Sequence, residues 1–118
     1  INKLVKMENE LKQMTTDICK KYKIQFEMAQ IGGFDPVAFD KECLNNIRNS
    51  ANKFGYSHKD IVSGAGHDAC WINTVAPSAM IMCPCVDGLS HNEAEEIKPE
   101  WASSSTNVML HAAIASAT

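Results

Sequence analysis

Between Ser78 and Val86 the sequence reads "SAMIMCPCV", a run of nine residues that is almost entirely apolar. A membrane span would need roughly 18 consecutive apolar residues, about twice this length. A short apolar run instead predicts a strand that is buried on both faces, as in a parallel sheet. Helices cover both faces of such a sheet, so the run predicts an α/β fold.

Helical patterns surround this apolar run, as the α/β prediction requires. A final helix is predicted over about Glu100–Ala117, and another over His67–Ala76 after a short strand in Asp60–Gly66. A further helix should begin between Asp35 and Asp40, with an aspartate as its cap, and end at Gly55. The final helix offers four apolar residues for packing: Val108, Leu110, Ala113 and Ile114.

The first 33 residues have a different organisation. Residues 2–21 carry apolar side chains at helical spacing, and residues 22–29 alternate apolar and polar side chains as a half-buried strand does. "IGGFDP" at 31–36 then breaks the pattern, which predicts a domain boundary near Gly33. One helix and one strand cannot bury both of their apolar faces against each other, so residues 1–33 should complete a larger α+β domain.

Composition and charge exclude several classes of function. The chain has 118 residues, enough for one modest core, and its formal net charge of −3 gives no electrostatic footprint for nucleic acid. The absence of a long apolar run argues against a membrane protein. Five cysteines, an odd number, are more typical of reduced thiols than of a disulfide framework, which predicts a cytoplasmic protein.

The turn "SGAGH" at 63–67 is the first candidate site. Gly64 and Gly66 would let the backbone approach a ligand, and a helix starting at His67 or Asp68 would present N–H groups to an anion. The imidazole could donate a hydrogen bond to a carboxylate or a developing oxyanion. The alternative is an ordinary strand-to-helix turn, with Asp68 placed at the helix start for its charge.

The second candidate is His91, in the polar loop "DGLSHNEAEE" directly after the apolar run. Ligand-binding groups of α/β enzymes lie beyond the carboxyl ends of strands, and imidazole is a common zinc ligand. Glu95 or Asn92 could fix the tautomer of the ring. The alternative is a solvated loop histidine, and one histidine cannot form a zinc site without ligands from elsewhere.

The remaining candidates carry weaker signals. Cys83 and Cys85 could bind a soft metal, but a single close pair of ligands is more typical of small buried side chains at a strand end. His58 and His111 are predicted to be a surface residue and a helix-packing residue. No Ser-His-Asp arrangement, phosphate-binding loop or dinucleotide fingerprint can be assembled from the sequence.

Taken together, the two histidine motifs resemble those of a known family. "SGAGHDA", followed 24 residues later by the histidine of "DGLSHNEAEE", resembles the amidase branch of the dinuclear-metal peptidase M20 clan. That branch contains N-carbamoyl-L-amino acid hydrolases, allantoate amidohydrolases and β-ureidopropionases. The resemblance extends to "AMIMCPC" and to "NVMLHA" in the final helix, and covers essentially the whole chain.

The resemblance implies a role for each part of the chain. Residues 1–33 would be the closing helix and strand of a lid and dimerisation domain, and residues 34–118 the carboxy-terminal part of an α/β/α catalytic domain. His91 matches a metal ligand of the family. His67 and Gly66 match substrate contacts, and no residue of this chain matches the catalytic base.

The resemblance also implies what the chain would need. Family members use two divalent metal ions (Zn, Mn, Co or Ni) to hydrolyse linear amide or ureido substrates, and they form homodimers. The other ligands and the glutamate base precede the matching region, so this chain alone is expected to hold no metal tightly and to be inactive. The alternative is a non-catalytic remnant or dimerising interaction module from a split gene.

Overall fold

A computed structural model describes residues 2–33 and 35–117. Its helices are α1 (Asn2–Tyr22), α2 (Lys41–Lys53), α3 (Asp68–Ile72) and α4 (Pro99–Ser116), with a short 3-10 helix at Val86–Gly88. The chain divides into two compact units, Ile1–Pro36 and Val37–Thr118. No helix among the described residues is both long enough and apolar enough to cross a bilayer.

The helix predicted over residues 2–21 is confirmed as α1. Lys20 and Lys21 in its last turn interact favourably with the carboxyl end of the helix dipole. Its exposed pairs, Lys12 with Glu8 at 2.6 Å among them, follow the four-residue spacing that joins neighbouring turns. The predicted apolar stripe is present but exposed, with fractions of 51–65% along Leu4, Met7, Leu11, Met14 and Ile18.

The predicted strands are not formed in the part of the chain that the structure describes. Residues 22–29, 60–66 and 78–86 lack strand pairing there, and the predicted α/β layering is not confirmed. A strand is stable only when a neighbouring strand accepts and donates its backbone hydrogen bonds. Side-chain patterns indicate which faces a strand would bury, but they do not supply that neighbour.

Helix α2 begins and ends as the sequence predicts. Asp40 is its N-cap and accepts a hydrogen bond from the Cys43 N–H at 2.9 Å, which lowers the pKa of the Asp40 carboxyl. After the helix, Gly55 has φ +69°, a left-handed conformation that favours glycine. Of the two predicted capping aspartates, Asp40 is therefore the one that caps the helix.

The core of the second unit lies where α2 packs against α4. Its buried residues are small, namely Ser50 and Ala51 on α2 and Val108 and Ala112 on α4. The predicted packing role of Val108 is confirmed. The other three residues predicted for packing are exposed, Leu110 at 54%, Ile114 at 53% and Ala113 as well.

Two aromatic side chains just after α2, Phe54 and Tyr56, extend this core. Phe54 packs its ring edge-to-face on His111 with centroids 4.7 Å apart, and stacks on Tyr56 at 5.6 Å. The predicted packing role of His111 is thus confirmed, and His58 is on the surface as expected.

Helix α3 is shorter than predicted. It ends at Ile72, after which hydrogen-bonded turns continue to Ala76. Two hydrogen bonds hold neighbouring segments of the second unit together. The Asn73 amide donates to the Ala38 carbonyl at 3.2 Å, and the Asp40 N–H donates to the Ser78 carbonyl at 2.9 Å.

Candidate metal and substrate site

The loop before α3 holds the His67 ring through a serine four residues earlier. Ser63 Oγ lies 2.7 Å from His67 Nε2, and the tautomer decides which of the two donates. The same hydroxyl oxygen accepts the Ala65 N–H at 3.2 Å. One side chain therefore fixes both the turn and the orientation of a half-buried imidazole.

The base of this loop is anchored to α2 by an ion pair. Arg48 Nη2 and Nε lie 2.6 Å and 3.1 Å from the two carboxylate oxygens of Asp60. This bidentate hydrogen bond lowers the pKa of Asp60 and raises that of Arg48. Because Asp60 precedes Ser63 by only three residues, the pair limits where the histidine loop can move.

The prediction that His67 and Gly66 bind an anion at a helix start is met only in part. His67 is the N-cap of α3, but its side chain makes no capping hydrogen bond. The helix behind it has five residues, about one and a half turns, so few N–H groups line up toward an anion. Gly66 is exposed, and its N–H therefore lies on an accessible part of the loop.

His91 occupies a strained turn that is held by a carboxylate. Its φ is +56°, unusual for a residue other than glycine. Glu95 Oε2 accepts the His91 backbone N–H at 3.0 Å, and Glu95 Oε1 accepts the Cys85 thiol at 3.6 Å. Glu95 therefore contacts the backbone of His91 rather than its imidazole, contrary to the suggested tautomer role.

The rest of the His91 loop is closed by its own backbone and side chains. Asn92 Oδ1 accepts the Ala94 N–H at 2.9 Å, so Asn92 also serves the turn rather than the ring. The Val86 N–H donates to the Glu96 carbonyl at 2.8 Å and joins the two ends of the loop. The imidazole of His91 is exposed, and none of the hydrogen bonds found among the described residues uses it.

The cysteine pair behaves as small, partly buried side chains. Burial raises the pKa of the Cys85 thiol above its ordinary value of 9.0, and the hydrogen bond to Glu95 raises it further. A thiol must lose its proton to bind a metal, so this environment disfavours metal binding by Cys85. All five cysteines, Cys83 and Cys85 included, are free.

The side chains of these two loops offer one metal ligand, the imidazole of His91. Imidazole is a common metal ligand, and the His91 ring is exposed. Across residues 2–33 and 35–117, however, no three His, Cys, Asp or Glu side chains come together as a metal site. The two loop histidines each bond within their own loop, to Ser63 and through the backbone to Glu95.

Sequence reasoning missed Ser63, and it named Glu95 as a partner of the His91 ring, whereas Glu95 binds the His91 backbone N–H. Ser63 lies four residues before His67, and Glu95 lies four residues after His91. In each case the sequence offered one signal for the contact, namely a polar side chain a few residues from a loop histidine. The positive φ of His91 had no such signal, because glycine and not histidine marks that conformation.

Comparisons with known proteins find one family. The model of the peptidase family M20/M25/M40 matches residues 4–115. The chain is 48% identical over 115 residues to an N-carbamoyl-L-amino-acid amidohydrolase of Rhizobium meliloti, covering 98% of this chain and 28% of that protein. It is 30% identical over 101 residues to a ureidoglycolate hydrolase of Arabidopsis thaliana, covering 85% and 21% respectively.

A solved structure agrees with these sequence matches. The amidase of the hydantoinase/carbamoylase family from Burkholderia vietnamiensis superposes with a TM-score of 0.89 at 46% identity. The superposition covers 92% of this chain and 26% of that one. The 118 residues therefore span about a quarter of the length of the Rhizobium meliloti and Burkholderia vietnamiensis proteins.

Proposed function

Because this chain belongs to the M20/M25/M40 peptidase family, we propose that it forms the carboxy-terminal part of a metal-dependent amidohydrolase. The proposed reaction is hydrolysis of non-peptide C–N bonds in linear amides of the N-carbamoyl-L-amino acid, allantoate or ureidopropionate type. The observation that carries the proposal is 48% identity, over nearly the whole chain, to an N-carbamoyl-L-amino-acid amidohydrolase.

In this proposal His91 is one ligand of a divalent metal ion. Its exposed ring and the absence of a competing hydrogen bond within the described part of the chain support that role. Divalent metal ions supply Lewis acidity and lower the pKa of bound water in hydrolases of this kind. Zn, Mn, Co and Ni are the candidates that the resemblance implies.

His67 and Gly66 are the proposed substrate contacts. The imidazole of His67, oriented by Ser63 at 2.7 Å, would hydrogen-bond a carboxylate or carbonyl oxygen of the substrate. The N–H of exposed Gly66 would meet the same substrate end. Both groups bind and orient, whereas the base that takes a proton from water is expected in the upstream part of the enzyme.

This division of roles makes the isolated chain inactive. A single imidazole neither holds a catalytic ion tightly nor activates water by itself. Residues 1–33 would belong to the lid and dimerisation domain, and residues 34–118 to the catalytic domain. We also propose a cytoplasmic homodimer, for which the exposed apolar stripe of α1 is the supporting feature.

The experiment compares the 118 residues with the full-length enzyme that contains them. We expect hydrolysis of an N-carbamoyl-L-amino acid, with release of ammonia, by the longer protein and none by the 118 residues alone. Turnover by the isolated chain would overturn the proposed division. Failure of the longer, metal-loaded protein to hydrolyse carbamoyl, allantoate and ureido substrates would overturn the function.

A non-catalytic interaction module is the second candidate, favoured by one observation. The apolar side chains of α1 are half to two-thirds exposed along a single stripe, as on a helix that binds another chain. Under this alternative the 118 residues would self-associate, and no metal would bind to them or to any longer form.

A further inference from the structure

We propose that Glu95 is a positioning residue that sets the direction of the metal-binding imidazole of His91 by holding its backbone. This inference rests on the proposed function, in which His91 is a metal ligand. It concerns a carboxylate that the family resemblance assigns no role, and it follows from two hydrogen bonds in the loop Cys85–Glu96.

The backbone conformation of His91 requires support from its surroundings. With φ at +56°, its backbone is left-handed, which places Cβ close to the following carbonyl oxygen and is disfavoured for residues other than glycine. Such a conformation persists only where surrounding contacts hold it. The His91 N–H, 3.0 Å from Glu95 Oε2, is the contact observed at this residue.

Glu95 is itself anchored in the loop. Its other oxygen, Oε1, accepts the thiol of Cys85 at 3.6 Å, so both carboxylate oxygens are occupied. Cys85 lies at the start of the loop, next to Val86, whose N–H donates to the Glu96 carbonyl at 2.8 Å. The carboxylate is therefore fixed at the point where the two ends of the loop meet.

The backbone of His91 determines the direction in which its ring leaves the loop. In many metal sites a partner of the ligand's second ring nitrogen orients the imidazole. Here the partner binds the backbone of the ligand, which fixes the Cα–Cβ direction and leaves both ring nitrogens available. The consequence for metal affinity is the same, because a ligand that must be ordered on binding costs conformational entropy.

A matched carboxylate in the same loop provides the control. Glu93 is exposed and accepts none of the hydrogen bonds found among the described residues. Glu93→Ala therefore removes the same charge from the same loop, two residues from His91 where Glu95 is four residues away. Any effect of charge alone on the metal ion would appear in both variants.

The experiment measures metal affinity in the full-length enzyme by competition with a chromophoric chelator. Glu95→Ala should weaken the affinity of the His91-dependent ion about 10- to 100-fold, the usual effect of removing an outer partner of a ligand. Glu93→Ala should change the metal affinity by less than about twofold, because this substitution removes only a charge and no hydrogen-bond partner of His91. Glu95→Gln retains one acceptor oxygen and should lose less affinity than Glu95→Ala.

A second readout is independent of the metal. In the metal-free enzyme, the backbone amide of His91 should exchange with solvent faster in Glu95→Ala than in wild type or Glu93→Ala, at unchanged melting temperature. If Glu95→Ala does not fold, Glu95→Asp, one methylene shorter, takes its place under the same criteria. Equal metal affinity and equal exchange in the Glu95 and Glu93 variants would overturn the positioning role.

Failure of this inference is distinct from failure of the proposed function. If His91→Ala retains the full metal content, His91 is not a ligand, and its ligand role and the positioning role of Glu95 both fall, whereas the proposed hydrolysis is tested separately by the activity of the full-length enzyme. If His91→Ala loses metal while Glu95→Ala binds it as tightly as wild type, the function stands and the positioning role alone is wrong.

Discussion

Replacing Ser63 by alanine is expected to lower kcat/KM of the full-length enzyme about fivefold. The hydroxyl lies 2.7 Å from His67 Nε2 and 3.2 Å from the Ala65 nitrogen. A neutral hydrogen bond contributes about 1 kcal/mol net, and about 1.4 kcal/mol corresponds to a factor of ten. Loss of the bond that orients His67 therefore corresponds to roughly a fivefold effect.

The assay follows initial rates with an N-carbamoyl-L-amino acid, with His67→Ala as the reference. A hydrogen bond to a charged group contributes about 1.5–3 kcal/mol, so His67→Ala should lower kcat/KM by roughly 10- to 100-fold. Because Ser63 orients His67, adding Ser63→Ala to His67→Ala should have a smaller effect than Ser63→Ala has in the wild type, since only the bond to the Ala65 N–H is then lost. Ser57→Ala, an exposed serine upstream in the same connection, serves as the control.

Two results would refute this reasoning. One is a Ser63→Ala variant as active as the Ser57→Ala control. The other is a Ser63→Ala effect of equal size with and without His67, since the part of the effect that comes from orienting the histidine must disappear with it.

The other predictions concern the stability and assembly of the 118 residues. Val108→Ala removes two buried methyl groups and should lower the free energy of unfolding in urea by about 2 kcal/mol. Leu110→Ala, at an exposed position of the same helix, should change it by less than about 0.5 kcal/mol. Equal effects of the two substitutions would contradict the assigned core. Asp60 has a lowered pKa because of Arg48, so the pair stabilises the fold above the ordinary pKa of 3.8, and this stabilisation is lost as pH falls through the lowered value. Melting temperatures recorded from pH 7 downward should therefore fall less steeply near pH 3 for Asp60→Asn than for wild type, and parallel curves would refute the coupling. Leu11→Glu on the exposed stripe of α1 should abolish concentration-dependent association in sedimentation experiments, and unchanged association would exclude this stripe as the dimer contact.

Features set by neighbouring residues were predictable from the sequence. Asp40 caps α2 because its side chain reaches the N–H three residues on, and Gly55 ends the helix because it adopts a positive φ at low cost. Both signals lie within one turn of the element they define. The strand predicted over 78–86 depends instead on a partner strand, and alternation or apolarity cannot supply one.

The candidate site was predictable to a different extent. Residue types and the family resemblance identified His67 and His91 as candidates, but the contacts that hold them were not foreseen. Ser63 and Glu95 are common polar residues whose roles depend on loop geometry, which no periodic pattern describes. The suggestion that Glu95 binds the imidazole was wrong because the left-handed backbone of His91 brings its N–H to the carboxylate.

The metal content of the full-length enzyme tests the central proposal most directly. Wild type, His91→Ala and His58→Ala would each be purified in buffer that contains a divalent metal ion, and unbound metal would be removed by gel filtration. The metal bound per protomer would then be measured by elemental mass spectrometry. His58→Ala replaces a surface histidine and serves as the control. We expect His91→Ala to carry less metal per protomer than wild type, and His58→Ala to carry the same amount as wild type. Full metal content in His91→Ala would contradict the ligand role of His91.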